Sequence, residues 1–342
     1  QQDTSAGYVT LDNPAREFGD AATLTFGQEF VSLFTPGDLF RFELSGTAAF
    51  DGGESDLYGS VIYRAPIGVS GTYGEIYLGN AVGDRDATGT LRQTDLDGDT
   101  VILAIGHPVI RNIDTYGYAL LEARRSSSDS DVDGISTDFE STVNVIAASW
   151  IYGRALQNGG AFEYATNLAF GSRGSDADGF DDGDEDFWHL RAGAGYQQPV
   201  SWFGENSSFR AEIWGQYTTD RLPGIEEFYL GGIDDERGYT FAEVQGDSGV
   251  SAVFQAGRDF FPQSSTVRRY RPFAFVDAGY VDNNDPSATE TDDKFLSSIG
   301  FGVDLEFENR FFAQAYVAVP TTSGPETDSG DPAFYLALSK SW

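Results

Sequence analysis

The side chains able to do chemistry are few in kind. The chain has no Cys and only two His, His107 and His189. Disulfides, thiolate metal sites and thiol nucleophiles are therefore excluded, and no Ser/His/Asp arrangement presents itself, so an enzyme is not expected. Carboxylates dominate instead. Asp129, Asp131, Asp133 and Gly134, followed by Glu140, fit the pattern D-x-D-x-D-G-x5-E. Oxygen donors at alternate positions, with Gly for the sharp turn, suit a calcium ion. The segments on either side read as strands, not as the helices of an EF-hand, so an acidic solvated loop accounts for the same residues. Segments 95–99 and 176–186 are thinner versions of it. Calcium in such loops is the single cofactor expectation. His189 falls on the polar face of its segment, where a hydrogen bond is its expected role.

The charge narrows the partners. A net charge of −33 argues against nucleic acid, because phosphate binding needs a basic surface. Nearly all the basic residues are Arg, since Lys294 and Lys340 are the only lysines; Arg forms bidentate ion pairs in polar enclosures. No stretch of about 18 apolar residues exists, so a transmembrane helix is excluded, but a membrane strand needs only about 9–11 residues with one apolar face. The chain lacks Met and opens on Gln1-Gln2, which fits a mature product of signal-peptide cleavage or a trimmed chain.

The elements that position these residues read as strands throughout. In 39–50, Phe40, Phe42, Leu44, Gly46, Ala48 and Phe50 take one face, while Arg41, Glu43, Ser45 and Thr47 take the other. Segments 187–196 and 295–307 alternate in the same way. Period two over ten or more residues exceeds the usual globular strand of about 5–6 and is the pattern of a transmembrane β-barrel. The reading is all-β: 16 antiparallel strands forming a single barrel over 1–342, in contact with outer-membrane lipids. The connections sort by character. Those at 34–37, 67–70, 110–113, 155–158, 200–206, 261–267 and 308–309 are short and nearly free of Asp; those at 82–98, 127–139, 174–185, 219–246, 283–293 and 321–331 are longer and mostly acidic. The first set fits periplasmic turns and the second extracellular loops, with both termini in the periplasm of a Gram-negative cell. The last strand places Phe334, Leu336, Leu338 and Trp342 on one face, a terminal aromatic pattern expected to be read by the barrel-assembly machinery.

The longest connection, 219–246, carries a constellation. Leu230-Gly231-Gly232, Glu236-Arg237-Gly238-Tyr239 and Gly246-Asp247-Ser248-Gly249 follow in order, and Phe275-Val276-Asp277-Ala278-Gly279 lies in the thirteenth predicted strand. A loop of this length is uncommon without a role. Together these motifs resemble the sixth-loop and F-x-D-x-G signatures of the FhaC/ShlB/HecB-type two-partner secretion transporters, which belong to a larger superfamily that includes BamA-type assembly barrels. The resemblance implies a translocation barrel that exports a polypeptide, with a secreted or surface-anchored protein as partner. It also implies a loop folded into the lumen, where Arg237 pairs with Asp277, Gly238 turns the tip and Tyr239 packs on the wall. Family members carry periplasmic POTRA domains and a plug helix ahead of the barrel, whereas this sequence opens almost at the first strand; removal of those domains and a barrel-only protein both fit. A scaffold for a surface protein or fibre, and a cation-preferring porin, stand as alternatives. Against the porin, porins constrict at the third loop, whereas the long loop here is the sixth.

Overall fold

Alternating apolar and polar residues cannot bury both faces at once, so the strands close on themselves with the apolar face outward and the polar face inward. Closure also pairs every strand edge, which the bilayer interior demands. The computed structural model describes residues 5–13, 21–50, 54–85, 94–132, 139–175, 183–233, 235–263, 266–284, 286 and 292–342. The strands are β1 (Ser5–Asp12), β2 (Ala21–Val31), β3 (Leu39–Ala49), β4 (Glu54–Ile67), β5 (Thr72–Arg85) and β6 (Thr94–Arg111). There follow β7 (Thr115–Val132), β8 (Phe139–Ala155), β9 (Ala161–Ser175), β10 (Asp186–Val200), β11 (Ser207–Tyr217) and the short β12 (Phe228–Leu230) and β13 (Val244–Gly246). The chain ends with β14 (Ser248–Arg258), β15 (Val267–Asp282), β16 (Asp293–Phe307), β17 (Phe311–Pro320) and β18 (Ala333–Ser341).

All but β12 and β13 form one closed antiparallel barrel of 16 strands, in the order β1-β18-β17-β16-β15-β14-β11-β10-β9-β8-β7-β6-β5-β4-β3-β2. The seam runs from Tyr8↔Ser341 to Asp12↔Ala337. Register follows the hydrophobic alternation, because a slip of one residue would turn every apolar side chain inward. Leu57, Leu103, Ile146, Phe170, Val276 and Phe301 are exposed on the outside, a surface suited to acyl chains. Inward-facing charges pair along the wall: Arg64 with Glu75 at 2.7 Å, and Arg269 with Asp259 at 3.1 Å and Glu306 at 3.2 Å. The register shifts between Pro108 and Ile110, where proline has no N–H to donate to the ladder.

The turns at one barrel end are tight. At 32–38, Asp38 is buried and its carboxylate accepts the N–H groups of Leu33, Phe34 and Thr35 at 2.8, 3.0 and 2.6 Å. At the other end, strands run further than polarity suggests. Part of 82–98 and part of 127–139 read as loop, yet β5 continues to Arg85, β6 begins at Thr94 and β7 reaches Val132. The hairpin ladder satisfies backbone groups whatever the side chains, so Asp-rich sequence does not end a strand that stands in water.

Candidate functional site

The connection between β11 and β14 folds back against the inner wall and makes its own structure there. A 3-10 turn at Gly224–Glu226 leads into the β12–β13 hairpin, with Phe228↔Gly246 and Leu230↔Val244 in register. Phe228, Leu230, Tyr239 and Val244 pack with Val281 and Leu296 of the barrel in one buried cluster. Alternation along β15 turns Phe273, Phe275, Asp277 and Gly279 inward, all buried.

Arg237 and Asp277 meet at this wall. Arg237 Nε and Nη2 donate to the two carboxylate oxygens of Asp277 at 2.7 and 2.8 Å, and the backbone N–H of Arg237 adds a third bond at 3.3 Å. The planar guanidinium matches the carboxylate fork, a geometry lysine cannot reproduce. Nη1 donates to Gln255 of β14 at 3.1 Å, and the guanidinium carbon sits 3.5 Å from the Phe275 ring centroid. Phe275 thus covers the cation face that Asp277 leaves open. Burial of a charge this deep requires such complete pairing.

The glycines of the motifs are close approaches. Gly238 has φ +102, a left-handed conformation that only Gly adopts without strain, and it faces Ala318 and Pro320. A Cβ on Gly279 would overlap Glu236 Oε1 and lie 2.7 Å from Leu230 Cδ2. Gly246 and Gly249 stand likewise against Val281 and Phe228. The hydroxyl of Tyr239 lies 2.8 Å from the Ser297 carbonyl and 2.6 Å from that of Thr322. Asp247 accepts the N–H groups of Leu222 and Asn284 at 2.6 and 2.7 Å, closing the base of the loop.

Two ties have no counterpart in the motifs. Glu243 accepts Thr327 Oγ1 at 2.7 Å and the N–H groups of Glu326 and Thr327 at 2.8 Å each, binding the loop to the connection before β18. Burial pushes its carboxyl up, but these bonds outweigh that and hold it below the usual range. Glu226, on the 3-10 turn, is salt-bridged to Arg124 of β7 at 2.6 Å and hydrogen-bonded to His189 of β10 at 3.1 Å. Burial raises this carboxyl too; the His189 hydrogen bond and the Arg124 and Arg191 charges more than reverse it. A lone Glu in a loop carries no signal of this. Only His189 on the polar face of its strand hinted at a partner.

Glu236 behaves oppositely. It is fully buried, accepts Ser251 Oγ at 2.8 Å and has no cationic partner among the described residues. Burial, aided by the Asp235 charge, lifts its carboxyl from 4.5 to about 7. A docked loop therefore holds this proton more tightly than a free one. Docking is expected to strengthen as pH falls from about 7 towards 4.5 and to weaken as pH rises through that window. Glu226 and Glu243, both lowered, act only beneath it. Protease sensitivity of the loop across this range should rise with pH in the native chain and lose the trend in Glu236→Gln; an unchanged trend would show that Glu236 is not its origin.

The remaining candidates lie elsewhere. Asp129 and Asp131 sit within β7, Glu140 is the second residue of β8, and Asp129 pairs directly opposite Glu140; Asp133 lies outside the described residues. Among the described residues, no group of three or more His, Asp or Glu is placed to hold a metal ion. Phe334, Leu336 and Leu338 belong to the closing strand β18. Trp342 follows it: its backbone pairs with Gly7 at 3.0 and 3.2 Å and its indole donates to Gln28 at 3.1 Å, locking the seam. His107 sits near a turn, 2.8 Å from Thr72 Oγ1.

A family model of haemolysin secretion/activation proteins, ShlB/FhaC/HecB, matches residues 1–306. Among solved structures, CdiB from Acinetobacter baumannii superposes with a TM-score of 0.82 at 14% identity, covering 99% of this chain and 60% of that one. CdiB from Escherichia coli gives 0.81 at 15% identity, with 100% and 63% covered. BamA from Haemophilus ducreyi lacking POTRA domains 1-3 gives 0.65 at 12% identity, with 100% and 71% covered. The chain spans about three-fifths of the CdiB chains it matches; identities this low speak to the fold alone. A search of curated proteins returned no match.

Proposed function

Because the chain belongs to the ShlB/FhaC/HecB family of haemolysin secretion/activation proteins, we propose that it is the outer-membrane barrel of a two-partner secretion system in a Gram-negative bacterium. It passes an unfolded polypeptide partner through its lumen to the cell surface, without nucleotide. The loop between β11 and β14 is the gate. The observation that carries this reading is the buried bidentate pair between Arg237 on that loop and Asp277 on the wall. A passive wall has no need of such a contact. A charge-assisted pair in a polar lumen is strong enough to hold a gate and exchangeable enough to release one. The short turns and both termini face the periplasm, lipid covers the apolar outside, and the assembly machinery reads the terminal strand through Phe334, Leu336, Leu338 and Trp342.

The test is co-expression of the full-length protein with its cognate secreted polypeptide in a host lacking both. Surface appearance of the polypeptide that depends on the barrel is the expected result. Uptake of small solutes into liposomes at porin rates, with no dependence of the polypeptide on the barrel, would overturn it.

A further inference from the structure

Three cationic or potentially cationic side chains of the inner wall converge on one carboxylate that belongs to the loop. Arg124 Nη2 donates to both oxygens of Glu226, at 2.6 and 2.8 Å. His189 Nε2 is 3.1 Å from Oε2, and Arg191 Nη2 is 3.6 Å from it while donating to the Glu226 carbonyl at 2.9 Å. Gln216 donates to that same carbonyl at 3.0 Å. The wall residues come from β7, β10 and β11; the ligand comes from a three-residue turn, Gly224–Glu226. Two further wall nitrogens in this pocket, Arg124 Nε and His189 Nδ1, are buried with no hydrogen-bond partner among the described residues. The pocket therefore offers more donor capacity than its resident carboxylate uses. Glu122 is the neighbouring acidic group on the same inward face of β7, and it leaves the two guanidiniums in excess once Glu226 departs.

We propose that Arg124, His189 and Arg191 form a carboxylate-binding pocket for which Glu226 is a tethered internal ligand, and that a carboxylate of a passing acidic polypeptide displaces it and frees the entry limb of the loop. The pocket stands on geometry alone; its use by cargo rests on the export reading above. Tethering explains why the closed state is stable, since a ligand on a short linker competes at millimolar effective concentration. The loop is then held by ion pairs at two separate places, Glu226 at its entry limb and Arg237 at its tip, on β7 and β15 respectively. These strands stand six places apart around the barrel.

The experiment is block of planar-bilayer conductance by a tetraglutamate peptide, with tetraglutamine as control, using the full chain. The native barrel should be blocked weakly, because Glu226 already fills the pocket. Glu226→Ala and Glu226→Gln should be blocked by tetraglutamate at a concentration lower by about tenfold or more, and tetraglutamine should remain inert. Adding Arg124→Gln to either variant should abolish the gain. Equal sensitivity of native and Glu226 variants, or block that survives Arg124→Gln, would overturn the proposal. Heat-modifiable gel mobility shows that each variant is a folded barrel, and Glu226→Gln keeps the side-chain shape if the alanine variant fails that check. The readout needs no secreted partner, so failure here leaves the export reading intact, and failed secretion with preserved block would overturn that reading alone.

Discussion

Arg237→Ala is expected to open the barrel intermittently and to raise its mean conductance in planar bilayers. The substitution removes both side-chain bonds to Asp277 and the bond to Gln255, keeps only the backbone N–H bond, and leaves the Asp277 carboxylate buried without its guanidinium. Removing one partner of a buried pair costs about 3–5 kcal/mol. At about 1.4 kcal/mol per tenfold, that shifts the ratio of docked to released loop by roughly two to four orders of magnitude. Release is not complete, because Tyr239, Glu243 and Glu226 still hold the loop. The record should therefore show frequent large openings instead of a steady open pore. Arg237→Lys should fall between the two, since an ammonium keeps the charge but not the fork that meets both oxygens. A native-like trace from Arg237→Ala, together with normal export of a partner, would remove the gating role.

Gly279→Ala should produce the second-largest effect, and it should be confined to the loop. The added methyl enters the space held by Glu236 and Leu230, both fully buried. Both must shift to admit it, and overpacking of this kind costs about 1–3 kcal/mol. The strand itself gains, because glycine weakens strand interiors. The barrel should keep its heat-modifiable mobility while the loop becomes sensitive to protease and the pore opens more often. Glu236→Ala in the same chain should restore docking by making room, a coupling that a double-mutant cycle measures. Absence of rescue, or protease resistance equal to the native chain, would show that the contact at Gly279 does not limit docking.

Much of the fold was legible because its determinants are local. Period-two alternation is written within each segment, so strand existence, inward and outward faces and the total of 16 barrel strands followed from neighbours alone. Strand ends were less legible where Asp-rich sequence continues a hairpin past the apolar alternation, as at Asp95 and Asp129. There the ladder, which does not depend on side-chain polarity, overrides the composition. The motifs named Arg237 and Asp277 through resemblance, although they lie 40 residues apart. The composition by itself determined an apolar-sided, cysteine-free chain of alternating strands with acidic connections. Only the tertiary structure decided that Glu226 meets Arg124 across 102 residues and His189 across 37, that β12 and β13 form inside the loop, and that Glu236 sits buried with no cation beside it among the described residues. Each of those depends on which inward positions of distant strands closure brings level with the folded loop. Barrel register sets that height, and no spacing along the chain records it.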